Sequence, residues 1–205
     1  MKRLLLLYLA LVLSPFAANA QAGHEYSPLA EKTVNYKNWT LPNIKTDQTD
    51  ELRSLIAGKK LVMVVYFAPW CGNWRYEAPI AAKLYEKYKE QGFQVIGVSE
   101  YASRADVKNF FGEAGPPYPV FFESETRDDK QKTSHYGYRQ LTGDTRNWGS
   151  PWNIFLEPSK VNEKGEVLAE KAWVVNGELM EDEVDKFISS KLSPINAGVI
   201  TPCKN

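Results

Sequence analysis

An α/β sandwich, with helices packed on a central mixed sheet, is the fold class this sequence predicts, and three observations carry it. Residues 61–67 and 93–98 are short apolar runs rich in β-branched and aromatic side chains, the pattern of buried strands. Helical spacing of Ile80, Leu84, Tyr85 and Tyr88 lies between them, with Lys and Glu on the opposite face. Two later apolar runs, 154–156 and 167–175, flank Glu163-Lys164-Gly165 as a hairpin would, and a closing helix follows.

In chain order, residues 1–20 come first and read as a signal peptide. Met1-Lys2-Arg3 is basic, 4–13 is apolar, and Ala18-Asn19-Ala20 gives the small-x-small pattern of a cut after Ala20. The apolar run is too short to span a bilayer, and no later run is span-length; an uncleaved anchor is the alternative. A periplasmic or secreted protein without stable membrane insertion is therefore expected. Residues 21–35 read as a polar, flexible lead-in with Pro28. Residues 36–192 then form one domain, about the size that builds a single core.

Within it, a helix is predicted over 73–91, with Pro79 inside it, after the strand at 61–67. Ser103 and Asp106 form a capping-box pattern ahead of Val107, Phe110 and Phe111. Gly115-Pro116-Pro117 stops that helix, and 118–122 restarts as a strand. Residues 123–132 are highly charged, a solvated loop or helix start, and helix or loop runs on to 142. Val184, Phe187, Ile188 and Leu192 mark the closing helix, and 193–205 is a tail ending near Cys203.

Composition narrows the function. Lys plus Arg and Asp plus Glu are 25 each, a formal charge of zero, or two negative charges once Lys2 and Arg3 leave with the signal. That balance excludes a nucleic-acid footprint. Hydrophobic residues at 43% and aromatics at 13% exclude disorder. Two cysteines, Cys71 and Cys203, are too few for a disulfide scaffold, and with His24 and His135 scattered they predict no metal site. No cofactor is predicted.

Chemistry is concentrated at Cys71. It follows a buried strand and opens a helix, where unpaired N–H groups and the helix dipole favour an anion. The thiolate is the attacking species in disulfide exchange. Arg75, one turn on, adds a positive charge; the alternative is an inert buried cysteine.

The stretch Phe67-Ala68-Pro69-Trp70-Cys71-Gly72 resembles the thioredoxin active-site loop, and Pro79 falls at that family's helix-kink position. Glu77-Ala78-Pro79 is closer still to the extracytoplasmic TlpA/ResA-like thioredoxins, in which an E-x-P glutamate assists proton transfer. The resemblance runs over about residues 36–192 and includes Trp39-Thr40-Leu41-Pro42, Gly58-Lys59-Lys60-Leu61 and Ser150-Pro151. It implies a thioredoxin-like fold and thiol or disulfide partners, on proteins or small molecules. It also implies a cis Pro151 beside the nucleophile that holds a substrate chain; a trans proline opening a strand is the alternative. Trp148 and Trp152 flank this loop as Trp70 and Trp74 flank Cys71. The four indoles, with Ser150 and Pro151, are candidates for a substrate groove, or two or more of them fill core.

Three departures matter. Trp74 stands where the second cysteine of C-x-x-C would be, so self-contained two-cysteine turnover is excluded. The strand position of the buried aspartate in cytoplasmic thioredoxins is apolar here, leaving Glu77 as the acid/base candidate or as a mere exposed helix residue. Residues 118–150 are longer and more polar than the family core, as a partner-specific insertion would be. The tail from Leu192 to Cys203 spans eleven residues, a reach of roughly 36–40 Å, so a resolving role for Cys203 is sterically open; a free or externally paired Cys203 is the favoured reading.

The expected function is a monothiol-type thiol–disulfide exchange protein with Cys71 as nucleophile, resolved by Cys203 or an external thiol. A non-catalytic peptide-binding module is the alternative. A thiol peroxidase fits less well, because Ala68 stands where peroxiredoxins place Thr or Ser. Asn38-Trp39-Thr40 would be a glycosylation sequon in a eukaryotic secretory pathway.

Overall fold

The computed structural model describes residues 23–46 and 48–193; the predicted signal peptide, its cut site and Cys203 lie outside the described residues. In chain order the elements are β1 (Ala30–Lys37), β2 (Thr40–Pro42), β3 (Thr49–Glu51), α1 (Leu52–Ile56), β4 (Leu61–Phe67), α2 (Gly72–Tyr88) and β5 (Phe93–Ser99). Then follow α3 (Arg104–Phe111), β6 (Val120–Phe122), α4 (Ser134–Thr142), β7 (Trp152–Leu156), β8 (Val167–Val175) and α5 (Glu181–Leu192).

Strand β4 is the axis of the molecule because all seven of its residues are buried. Successive side chains point to opposite faces of a sheet, so one apolar run feeds two cores. Leu61, Met63, Val65 and Phe67 join Ala81 and Leu84 of α2 and Val184 and Ile188 of α5. Val62, Val64 and Tyr66 join Leu52 and Ile56 of α1 and Tyr138 of α4 on the other face. Each large apolar side chain buried contributes about 1.5–3 kcal/mol, and β5 and β7, buried along their whole length as well, add to what β4 supplies.

The main sheet runs β1-β8-β7-β4-β5-β6, so it is mixed, as expected. β4 and β5 pair in parallel through the α2 crossover, and β5 pairs in parallel with β6. β7 runs antiparallel to β4 and forms the predicted hairpin with β8. A small second sheet pairs β2 with β3. The capping box forms as read: Ser103 accepts from the Asp106 amide, and the Asp106 carboxylate accepts from the Ser103 amide. β6 starts two residues later than expected, at Val120, after Pro119. A proline has no N–H to give a ladder, so pairing starts beyond it.

The lead-in needs correcting. Residues 30–37 are an edge strand, antiparallel to β8. Only Val34 and Tyr36 are buried, so the apolar alternation that marks a strand lasts for two positions. Register shifts between Thr33 and Tyr36, where Asn35 takes φ 47°, break the pattern further. The Tyr36 and Tyr66 hydroxyls meet at 2.8 Å, and the Trp39 indole N–H donates to the Tyr36 oxygen at 3.0 Å. Burial pushes both phenols well above their usual range, keeping them neutral.

If β1 belongs to the fold, Val34→Asp, which places a carboxyl in a fully buried site, lowers stability by about 3 kcal/mol. Urea denaturation followed by circular dichroism measures it; an unshifted midpoint would return the segment to a lead-in.

Candidate functional site

Cys71 sits at the joint between the central strand and its crossover helix. β4 ends at Phe67, the chain turns through Ala68-Pro69-Trp70, and the Cys71 amide closes the turn on the Ala68 carbonyl at 2.9 Å. Cys71 is the N-cap of the 17-residue α2, extended at φ −76° and ψ 128°. Its side chain caps nothing, so the sulfur is left for other work beside a row of unpaired helix amides. The half-buried Sγ lies 3.1 Å from the Ser150 carbonyl oxygen, to which the thiol donates. The Ser150 hydroxyl accepts from the Ala68 amide at 2.8 Å. Ser150–Pro151 is cis. The two loops are thus clasped by a pair of hydrogen bonds with the sulfur between them. Arg75 is exposed, its guanidinium 5.7 Å from the Phe110 ring centroid.

The four indoles divide two and two. Trp70 and Trp148 are half-buried and meet edge to face at 5.3 Å, beside the sulfur. Trp74 and Trp152 are fully buried, and this corrects their assignment to a substrate groove. Trp74 stacks on Phe67 at 4.4 Å between strand and helix; Trp152 stacks on Tyr138 in the opposite core and donates to Asn176 at 2.8 Å. Trp74 follows Cys71 by three residues, on the same side of α2, and its indole fills the core against Phe67 and Phe110. Beyond Trp70, a cleft of about 280 Å³ is lined by Pro69, Arg75, Asp106, Asn109 and Phe110.

Glu77 is fully buried in α2, which corrects the exposed alternative. One oxygen accepts from the Leu179 amide at 2.8 Å and from the Asn153 amide group at 3.3 Å; the other has no protein partner. Burial lifts its carboxyl to about 8, against the opposing pull of those two hydrogen bonds. The group therefore holds its proton at neutral pH.

The proline loop is shaped from beneath by groups that sequence reading passed over. Arg139 of α4, 1% exposed, donates from Nε to Asp144 at 3.1 Å and from an NH2 group to the Arg146 carbonyl. Arg146 donates to Asp144 at 2.7 Å and to the Pro151 carbonyl at 2.8 Å. Burial works against the Asp144 carboxylate, but Arg146 and Arg139 outweigh it and hold the group below its usual range. Gly149, at φ 59°, lies so close over Arg139 that a β-carbon would fall 1.8 Å from Nε; no other residue fits. Burial, then Arg139, pushes His135 well below its usual value, so its ring is neutral. Nε2–H then donates to the Gly149 carbonyl at 3.1 Å, and Nδ1 accepts from the Tyr101 hydroxyl at 3.1 Å.

Tyr101 links this brace to the Trp70 side. Its carbonyl accepts from the Trp70 indole at 2.9 Å, and its ring lies 5.4 Å from Trp148. It takes φ 58°, pinned by its amide donating to Ser124 Oγ at 2.9 Å. Ser124 in turn donates to Glu100, whose carboxyl is raised well above the usual range by burial and by neighbouring Glu123. Local sequence gave no sign of this set: a lone His, Arg or Glu carries no pattern until the fold gathers it.

The redoxin family model matches residues 31–186 of this chain. The chain is 26% identical over 173 residues to the thiol-disulfide oxidoreductase ResA of Halalkalibacterium halodurans, covering 84% of this chain and 82% of that protein. It is 32% identical over 87 residues to a probable protein disulfide-isomerase A4 of Caenorhabditis elegans, covering 42% of this chain. The matched segments span only 14%, 30% and 35% of the length of three curated relatives. A thioredoxin-family thiol:disulfide interchange protein of Chlorobium tepidum shares the fold, with a TM-score of 0.56, 21% identity, and coverage of 80% of this chain and 99% of that one.

Glu77 predicts a pH dependence. Its folded carboxyl titrates near 8 against about 4.5 unfolded, so between those values the native state holds one more proton. Its contribution to stability is complete at low pH and is lost as pH rises through about 8, at no more than about 1.4 kcal/mol per pH unit. Glu77→Gln, which keeps an oxygen for Leu179 and Asn153, flattens that decline in urea titrations run from pH 5 to 9. An unchanged slope would mean the carboxylate is charged throughout.

Proposed function

Because the chain belongs to the redoxin family, we propose that it is an extracytoplasmic thiol–disulfide oxidoreductase of monothiol type, with Cys71 as its single nucleophile. One observation carries the reading: the half-buried Cys71 sulfur stands at a helix N-terminus, 3.1 Å from the carbonyl preceding a cis proline, while the position of a resolving cysteine is sealed in the core by Trp74. The first twenty residues support the compartment, and among the described residues no helix is long and apolar enough to cross a membrane.

In the first step the Cys71 thiolate attacks one sulfur of a substrate disulfide. A Cys71–substrate disulfide forms, the substrate S–S bond breaks, and the departing thiolate takes up a proton. The Ser150 carbonyl, released by the thiol as it ionises, becomes an acceptor for a substrate backbone N–H, which aligns an extended chain beside Pro151. In the second step another thiolate attacks the Cys71 sulfur of the mixed disulfide: a disulfide between that thiol and Cys71 forms, the Cys71–substrate bond breaks, and the second substrate thiolate leaves and takes up a proton. That thiol, with Cys71, supplies the two electrons that reduce the substrate. Cys203 is one source and an external thiol the other. Glu77, six residues along the same helix, retains a proton at neutral pH and is the acid/base candidate for these transfers. The partners are therefore protein or small-molecule disulfides, and Trp70, Trp148, Ser150 and Pro151 line their approach.

Mass spectrometry after incubation with a peptide disulfide tests the reading. Wild type forms a Cys71–peptide adduct, Cys71→Ser forms none, and Cys203→Ser accumulates the adduct if Cys203 resolves it. A Cys71 that stays unmodified while peptides still bind would leave the binding module as the function. A thiol count in native and denatured protein, with and without reductant, separates a Cys71–Cys203 disulfide from two free thiols.

A further inference from the structure

The charged stretch after β6 returns to the site. A 3₁₀ turn, Arg127–Lys132, carries two cations over the indole wall beside Cys71. The Arg127 guanidinium lies 4.1 Å from the Trp70 ring centroid and 5.6 Å from that of Trp148; the Lys130 ammonium lies 5.0 Å from Trp148. The Lys130 ammonium also donates to Asn147 at 2.8 Å. Among the described residues no ion pair joins Arg127 or Lys130 to a carboxylate.

Two of the acids nearby are otherwise engaged. Asp129 is held by Lys132 at 2.9 Å and Thr126 at 3.1 Å, and Asp106, across Trp70, caps α3. Asp128, exposed in the same turn, pairs with neither cation. The ring faces are thus occupied by cations whose outer donors are unspent. A guanidinium laid on an aromatic face is pre-positioned, so less freedom is lost when it binds an anion.

We propose that Arg127 and Lys130, mounted on Trp70 and Trp148, form a specificity subsite for acidic peptide segments, with carboxylates one or two residues from the cysteine that Cys71 attacks. An extended peptide advances about 3.3 Å per residue, so carboxylates one or two residues from the attacked cysteine lie about 3–7 Å along the chain from it. The chemistry rests on the exchange reading above, whereas the recognition does not.

Two arms test it. In the first, Cys71→Ser protein is titrated at low ionic strength with peptides whose central cysteine is replaced by serine, flanked by Glu or by Lys, and tryptophan fluorescence reports binding. The Glu peptide binds about five-fold more tightly, the preference shrinks with added salt, and it disappears in an Arg127→Gln/Lys130→Gln background and inverts with Glu at both positions. In the second, the same sequences with cysteine activated as a 2-pyridyl disulfide react with wild type. The Cys71 thiolate takes the peptide sulfur, pyridine-2-thione leaves, and its absorbance gives the rate, with the same preference expected. Equal binding of both peptides, or a preference that survives the double variant, overturns the subsite. A preference in binding without any thione release would instead sink the exchange chemistry and leave the subsite standing. Thermal melts of the variants check that the substitutions leave the fold intact.

Discussion

A guanidinium buried away from water has to be matched by acceptors around it, and the site depends on how Arg139 meets that demand. Its charge is countered by Asp144, and it takes the Arg146 carbonyl as a further acceptor. These groups lie in one short loop, so meeting two of the arginine's nitrogens folds the loop around it, while its Nη1 has no protein partner among the described residues. Removing one partner from such a set is far more costly than the net worth of the pair, because an uncompensated charge is left behind. The loop that results delivers Gly149, Ser150 and Pro151 to the sulfur. A buried ionic cluster thus sets the position of an apolar, half-open surface.

The second determinant is the division of labour along α2. Within two turns of that helix, Cys71 faces the proline loop, Trp74 faces Phe67, and Glu77 faces Asn153 and Leu179. The proposed nucleophile, a core plug and a proton-holding acid therefore share one rigid element, and their relative positions follow from helical pitch. The bulk of Trp74 matters here. An indole stacked at 4.4 Å on Phe67 fills volume that a cysteine would leave open, so the loss of the second thiol is built into the packing and is not an isolated exchange of one surface group.

How much of this could be read from the sequence depended on the range of the interaction. β4, β5, the hairpin, the capping box and the closing helix were legible because each announces itself in a window of a few residues. The strand at Ala30–Lys37 was not, since its ladder partner lies some 140 residues away and only Val34 and Tyr36 face inward. Cys71, Glu77 and Ser150-Pro151 could be picked out by their motif. The brace of His135, Arg139, Asp144 and Arg146 could not, because no residue in it is unusual until burial gives it meaning. The same limit explains the tryptophans: spacing put four near the loops, and only packing decided that two of them are core.

The irregularity in β1 has a bearing on the molecule's life outside the site. A sheet edge exposes a row of unpaired amides and carbonyls that another chain's strand can use. Here Asn35 twists that row out of line, and Lys32 and Lys37 stand exposed along it. The opposite edge, β6, is three residues long and is partly covered by Ile44, whose amide donates to the Val120 carbonyl. Neither margin offers a flat template for self-association into fibrils. Another chain's strand therefore finds little to pair with at either margin, and the molecule resists recruitment into aggregates.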